Sequence, residues 1–277
     1  MMPTTSTAAE IFAANRAAGR IALSVNHACG ATRPARVHEA GMLRVRFPNG
    51  EQRDTLEVVI VNTAGGFAGG DQAEIEIKAA EQSQVMVTSA AAEKVYRSLG
   101  PDTEISIRLE AGSGAGIAWL PQETILFDRM RLRRSIDVAL TGHARLLIAE
   151  AIVFGRAAMG ERVTSGSLFD RWRVRIDGAL VFADGVHLGG EIAKSLAQRA
   201  VAGEGVAVAT LLKSPGNDDA VATLRAIASD FSGEVGVSAW NGLLVGRLVA
   251  PTSAALRHDM IRILAALGTP LPRLWLN

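Results

Sequence analysis

The stretch LLIAEAIVF, residues 146–154, is apolar at every position except Glu150. Nine residues are too few for a helix to be the natural reading, and the β-branched content favours a strand. A strand half-exposed to water would alternate polar and apolar residues. This one is apolar on both phases, so the sequence predicts a strand covered on both faces by other layers. Outward from it, from about Arg20 to Gly190, the dominant period is two. Ile75 and Ile77, then Ile105, Ile107 and Leu109, then Trp172, Val174 and Ile176 alternate with polar neighbours, the last set with Arg171, Arg173 and Arg175. Asp177-Gly178 follows that last run and tolerates the positive φ angles of a tight hairpin.

After Gly190 the period changes. Leu256, Met260, Ile263, Leu264 and Leu267 share one helical face that ends at Gly268, with Pro270 just beyond. Val221, Leu224 and Ile227 mark a second helix, with Asp218 and Asp219 in its first turn, where the helix dipole favours negative charge. Between them, Glu234–Trp240 and Leu243–Val249 flank Asn241-Gly242, a hairpin signal. The chain is therefore expected to be mainly β, with a few helices and an α+β portion over residues 191–277. It is read as a single domain over 1–277, with 1–19 a flexible leader and the best joints at Gly189-Gly190 and Lys213–Asn217.

The 277 residues, nearly half of them hydrophobic, suffice for a large core. A formal charge of +1, with acids and bases interspersed, gives no electrostatic footprint for nucleic acid or an acidic membrane. No run approaches the roughly 20 apolar residues that span a bilayer. One cysteine, Cys29, excludes an internal disulfide and fits a reducing compartment. No secretory signal opens the chain, so a cytoplasmic location is expected.

The densest glycine cluster is NTAGGFAGGD, Asn62–Asp71. It could cradle an anion or nucleotide, the basis of an alternative reading as a β-rich enzyme. The Gly-Lys-Ser/Thr ending of a phosphate loop is missing, however, and a strand rather than a helix follows. A tight strand-to-strand turn using positive φ at Gly65, Gly66, Gly69 and Gly70 is the preferred reading. His27 and Cys29 form the only close imidazole–thiolate pair and, two apart on a strand, would point the same way. No acyl-transfer motif is present. Glu123 with Asp128, and Glu150 with Glu161, are paired carboxylates whose convergence spacing alone does not decide.

Two charges break an apolar phase. Glu150 lies in phase with Leu146, Ile148, Ile152 and Phe154; Arg134 lies in phase with Met130, Leu132, Ile136 and Val138. A buried charge must be paired, neutralised or hydrated, so both are expected to face one polar interior, the alternative being a bulge near Arg134.

Several segments together resemble the urease accessory protein D family, UreD or UreH: NTAGGFAGGD; SAAAEKVYRS, Ser89–Ser98; WLPQETILFD, Trp119–Asp128; GRAAMGE, Gly155–Glu161; and PRLW, Pro272–Trp275. They stand in the family's order, and the ten-residue WLPQETILFD is the most specific. The chain departs from many members at Thr63-Ala64, where two prolines are usual, and at Ser89–Ala92, where Thr-Pro-Gly-Ala is usual. The resemblance implies a β-helix-like stack of strands and a non-enzymatic scaffold. It implies partners in apo-urease and in the accessory proteins F and G, the latter a GTPase, with nickel passed to the urease active site. No tightly bound cofactor is implied, only nickel in transit. Oxygen ligands hold nickel more weakly than imidazole or thiolate, which suits release. Asp71, Glu123, Asp128, Glu150 and Glu161 are the candidates for such a path. Tyr96, Arg97 and Arg156, with Arg134 and the four loop glycines, are assigned structural or interface roles.

Overall fold

A computed structural model describes residues 16–48, 54–156, 159–203 and 205–276. Two sheets stack face to face. The first has seven strands in the order β14 (Ala179–Gly190), β13 (Gly166–Ile176), β11 (Arg131–Leu140), β8 (Thr103–Ala111), β5 (Gln72–Ala79), β1 (Ala18–Ala28), β2 (Ala31–Gly41). The second has ten strands. Eight follow the order β16 (Glu234–Trp240), β17 (Leu243–Ala250), β15 (Ala207–Ser214), β12 (Arg145–Phe154), β9 (Gly116–Trp119), β6 (Gln84–Ser89), β4 (Thr55–Asn62), β3 (Leu43–Arg46). Two short strands, β7 (Glu93–Val95) and β10 (Thr124–Leu126), pair with each other, and β10 also pairs with β12.

From β4 to β13 the chain crosses from one sheet to the other and back, laying each new strand parallel to the equivalent strand of the previous turn. This is a β-helix-like coil. Its rungs stack like residues: Ile21, Ile75, Ile107, Ile136 and Trp172 align across the first sheet, and Leu56, Val85, Ile117 and Leu146 across the second. Side-chain alternation sends these apolar columns inward, where they form one continuous core. Hairpins close the ends, among them β1–β2 and β13–β14. Asp177 (φ 48°) and Gly178 (φ 82°) make the turn before β14, and Asn241 and Gly242 (φ 50° and 72°) the turn between β16 and β17.

The apolar run 146–154 lies in β12, which is covered on both sides. Leu146, Ile148, Ile152 and Phe154 join the core between the sheets. Leu147, Ala149, Ala151 and Val153 face a second apolar cluster outside, built with two helices. Among the described residues the α-helices are α1 (Ile192–Leu196), α2 (Asp218–Ala226) and α3 (Ser253–Ala266); the last two belong to that cluster. Asn217 caps α2 by accepting from the Ala220 N–H, and Thr252 caps α3 by accepting from that of Ala255. α3 buries Leu256, Met260, Ile263 and Leu264, as its periodicity requires, and also Asp259, whose two oxygens accept from the N–H groups of Ser232 and Gly233 at 2.8 Å.

Several expectations need correction. β15 pairs directly with β12, so β15, β17 and β16 extend the same sheet; Gly189 and Gly190 end β14, Lys213 and Ser214 end β15, and 215–217 alone lie between elements, leading into the helix that starts at Asp218. Residues 1–15 of the expected leader lie outside the described residues, but its end is structured. β1 begins at Ala18, and the Ala17 N–H donates to Asp71 at 2.9 Å. Cys29 occupies the β1–β2 turn at φ 53° rather than continuing the strand of His27, so the two do not share the strand geometry assumed for them.

Candidate functional site

Arg134 and Glu150 meet. Arg134 projects inward from β11 and Glu150 inward from β12, so the two sheets contribute one charge each. The Arg134 Nη1 donates to Glu150 Oε2 at 2.5 Å. Its Nε and Nη2 donate to Asp170 on β13, the neighbouring strand, at 3.0 and 2.6 Å. Glu150 Oε1 accepts from the Trp119 indole at 2.6 Å, and Asp170 Oδ2 from the Trp172 indole at 3.2 Å. All three charged side chains are buried. The register through Arg134 is uninterrupted on both sides, so no bulge turns it away.

Burial opposes the charge on Arg134, but the fields of Asp170 and Glu150 and their hydrogen bonds outweigh it and drive its pKa upward, holding the guanidinium charged. Burial pushes the Glu150 carboxyl above the usual range, against the pull of Arg134 and the Trp119 hydrogen bond. One cation between two carboxylates leaves the group short of positive charge, and this imbalance lets desolvation prevail at Glu150.

Beside this group lies an internal cavity of about 60 Å³. Phe67, Trp119, Gln122 and Thr124 contribute to its wall, together with Glu150, Arg134 and Glu93. Glu93 has one side-chain partner, the Asn62 amide at 3.0 Å, and burial raises its pKa. The wall is mainly apolar, with Glu150, Arg134, Glu93 and Gln122 among its polar side chains. Asp170, Trp119, Trp172 and Glu93 were missed from sequence. A signal for Asp170 existed: it interrupts the inward phase of Leu168, Trp172 and Val174 just as Arg134 interrupts its own.

The other four candidate carboxylates do not converge with Glu150. Asp71 ties down the glycine turn, accepting from the N–H groups of Ala17 and Ala68 at 2.9 and 2.7 Å. Asp128 Oδ1 accepts from the Thr164 N–H, the Thr164 hydroxyl and the Ser165 N–H; burial opposes its ionisation, but these bonds prevail and hold its pKa low. Glu161 accepts from Arg156 at 2.6 Å, and Glu123 from Arg257 at 3.4 Å. Among the described residues, no group of three or more His, Cys, Asp or Glu side chains is placed to hold a metal ion.

Four of the five segments that carry the family resemblance, those beginning at Asn62, Ser89, Trp119 and Gly155, lie where the chain passes from the ten-stranded to the seven-stranded sheet, whereas PRLW follows α3 and joins the outer cluster. Each crossing stacks on the one before. The Tyr96 ring lies against Gly66 and its hydroxyl donates to the Gly65 carbonyl at 3.1 Å. Phe127 meets Tyr96 edge-on with centroids 4.9 Å apart, and the Arg156 guanidinium lies 4.2 Å over the Phe127 ring. Arg97 is exposed beside this ladder. Gly65, Gly66 and Gly70 have positive φ, but Gly69 does not. Gly69 is required for space: a Cβ there would stand 2.1 Å from the Ser98 hydroxyl. At Gly66 a Cβ would lie 2.6 Å from the Tyr96 ring, whereas at Gly65 nothing lies within 4 Å. Gly66→Ala is therefore expected to cost about 1–3 kcal/mol more than Gly65→Ala in urea unfolding, because only the first adds a clash to the left-handed penalty. Equal costs would show that the Tyr96 ring yields freely.

A family model described as UreD urease accessory protein matches residues 17–276. A curated protein of Bradyrhizobium diazoefficiens named urease accessory protein UreD is 51% identical over 272 residues, 98% of each chain. Another of that name, from a strain of Rhodopseudomonas palustris, is 52% identical over an alignment of 278 positions that covers the full length of both.

Proposed function

Because the chain belongs to the UreD urease accessory protein family, we propose that it is a non-catalytic cytoplasmic scaffold that bridges apo-urease to the accessory proteins F and G while nickel is delivered to the urease active site. The observation that carries this reading is the family match along 17–276, which leaves no part of the described chain for a separate catalytic domain. Nickel is cargo here.

The interior distinguishes among the carboxylates. Glu150 has both oxygens committed to Trp119 and Arg134, so it shapes the polar interior instead of offering a free ligand. Glu93 is the available carboxylate, on the same cavity wall and held by a single amide. Asp71, Glu123, Asp128 and Glu161 keep the backbone and arginine partners described above, so their contribution to a path would be to hold its walls.

The test is a strain carrying the urease operon with this gene deleted. Urease protein should remain abundant while its nickel content and activity fall to background; full nickel loading would end the accessory reading. Restoring the gene as Glu93→Gln should leave the fold intact and lower the nickel content of urease several-fold. Normal loading by that variant would favour a structural scaffold with no carboxylate-lined path.

A further inference from the structure

Strand register polarises the outer face of the seven-stranded sheet. With Leu132, Arg134, Ile136 and Val138 of β11 turned inward, alternation turns Arg131 and Arg133 outward. On β13, inward Leu168, Asp170, Trp172 and Val174 leave Arg171, Arg173 and Arg175 outside. The outer rows then read Ser135, Arg171, Gly185; Asp137, Arg173, Ala183; and Ala139, Arg175, Leu180. Five guanidiniums share two carboxylates: Asp102 takes Arg131 at 2.7 Å and Arg133 at 3.7 Å, and Asp137 takes Arg171 at 2.9 Å. Arg173 and Arg175 have no carboxylate partner among the described residues, although β8 and β5 nearby carry Glu104, Glu110, Glu74 and Glu76 on the same outer face. Beside the small residues Gly185 and Ala183 of edge strand β14, Arg175 is exposed and Arg173 partly so.

Like charges on neighbouring positions of one sheet face repel. This arrangement adds nothing to the core, and the surplus of three positive charges faces water in a chain whose net charge is only +1. Its composition also points to a class of partner. All five cations are arginine and none is lysine, with Phe169 under Arg133 at 4.9 Å and Leu180 half-exposed at the end of the patch. Protein interfaces are enriched in arginine and aromatic residues and depleted in lysine. Long-range attraction of a polynucleotide would call for a larger net charge.

We propose that the outer face of β11 and β13, with edge strand β14, is a docking surface for an acidic face of a protein partner within the urease-containing assembly. The proposal rests on the accessory role inferred above and adds to it the surface and the chemistry of the contact. Arg173 and Arg175 provide the unsatisfied charge, and Leu180 an apolar contact at the edge.

The experiment is co-expression of the tagged chain with the urease operon, with recovery of urease measured by size-exclusion chromatography at low and high salt. Wild type should bring urease with it, less so at high salt. Arg173→Glu with Arg175→Glu should lower recovery about tenfold or more, since reversal places like charges across the contact. Arg33→Glu with Arg36→Glu, on β2 at the far edge of the same sheet, should recover urease as wild type does. Should the glutamate pair fail to fold, Arg173→Ser with Arg175→Ser removes the charge without reversing it and should still lower recovery. Wild-type recovery by a folded β13 variant, or equal losses in the β13 and β2 variants, would overturn the proposal. So would binding of a duplex oligonucleotide that is lost in the β13 variants while urease recovery is kept. If wild type itself recovers no urease, the accessory reading fails first.

Discussion

Replacing Arg134 by methionine should lower the stability of this protein by about 3–5 kcal/mol, a large fraction of the roughly 5–15 kcal/mol that holds a domain folded. The substitution preserves the side chain's approximate length and removes the one cation between Glu150 and Asp170. Two carboxylates would then remain in the core with only the Trp119 and Trp172 indoles as donors. Urea unfolding followed by tryptophan fluorescence measures the loss. The pH dependence is a second, independent readout. Burial already raises the Glu150 pKa in the wild type, and a raised folded-state pKa contributes stability that is present below the unfolded value and lost as pH rises through the folded one. Without Arg134 the rise is larger, so the deficit of Arg134→Met should shrink on acidification and widen toward neutral pH. Adding Glu150→Leu and Asp170→Leu should restore much of the stability, because replacing a whole buried ionic group with apolar side chains removes its desolvation cost. A deficit below about 1 kcal/mol, flat with pH, would mean that water reaches these carboxylates and the triad is not desolvated.

Trp275→Ala is the other large effect expected, about 3–5 kcal/mol. Trp275 lies in the short turn Arg273–Trp275 and is buried in the outer apolar cluster with Leu120, Leu256 and Met260. Its indole donates to the Leu120 carbonyl at 3.0 Å, so the end of the chain is pinned to the loop that opens WLPQETILFD. Arg257 of α3 reinforces the junction: it donates to the Leu274 and Trp275 carbonyls at 3.3 and 2.9 Å and to Gln122 at 2.7 Å. Truncation would empty the space, orphan a buried carbonyl and detach these partners together. Trp275→Phe keeps most of the packing and loses only the N–H bond, so it should cost roughly 1 kcal/mol. Limited proteolysis distinguishes the two, with early cleavage near the C-terminus for alanine and near-normal resistance for phenylalanine. Similar resistance for all three proteins would show that Arg257 alone holds the tail.

The sequence by itself determined the longer amphipathic strands such as β5, β8, β13, β16 and β17, the two hairpin turns, the α2 and α3 faces and the double covering of β12, because each follows from local periodicity or from the φ preference of a few residues. It also determined that Arg134 and Glu150 sit among apolar neighbours, since a phase break is a local signal. Asp170 carries the same signal and could have been included. Tertiary structure alone decided that these three charges form one group. Arg134 and Asp170 become neighbours only through the parallel register of β11 and β13, and Glu150 reaches them from the opposite sheet. Tertiary structure likewise decided that Asp71 and Asp128 hold turns together, since carboxylate spacing along a chain says nothing of which N–H groups the fold brings to it. Gly69 shows the same division: composition places it in a turn, but the need for a missing Cβ arises from Ser98, a residue of the next rung. In a coiled stack of strands each rung meets others roughly 25–40 residues away, so pairing depends on how many residues each crossing spends, a long-range quantity that no local period contains.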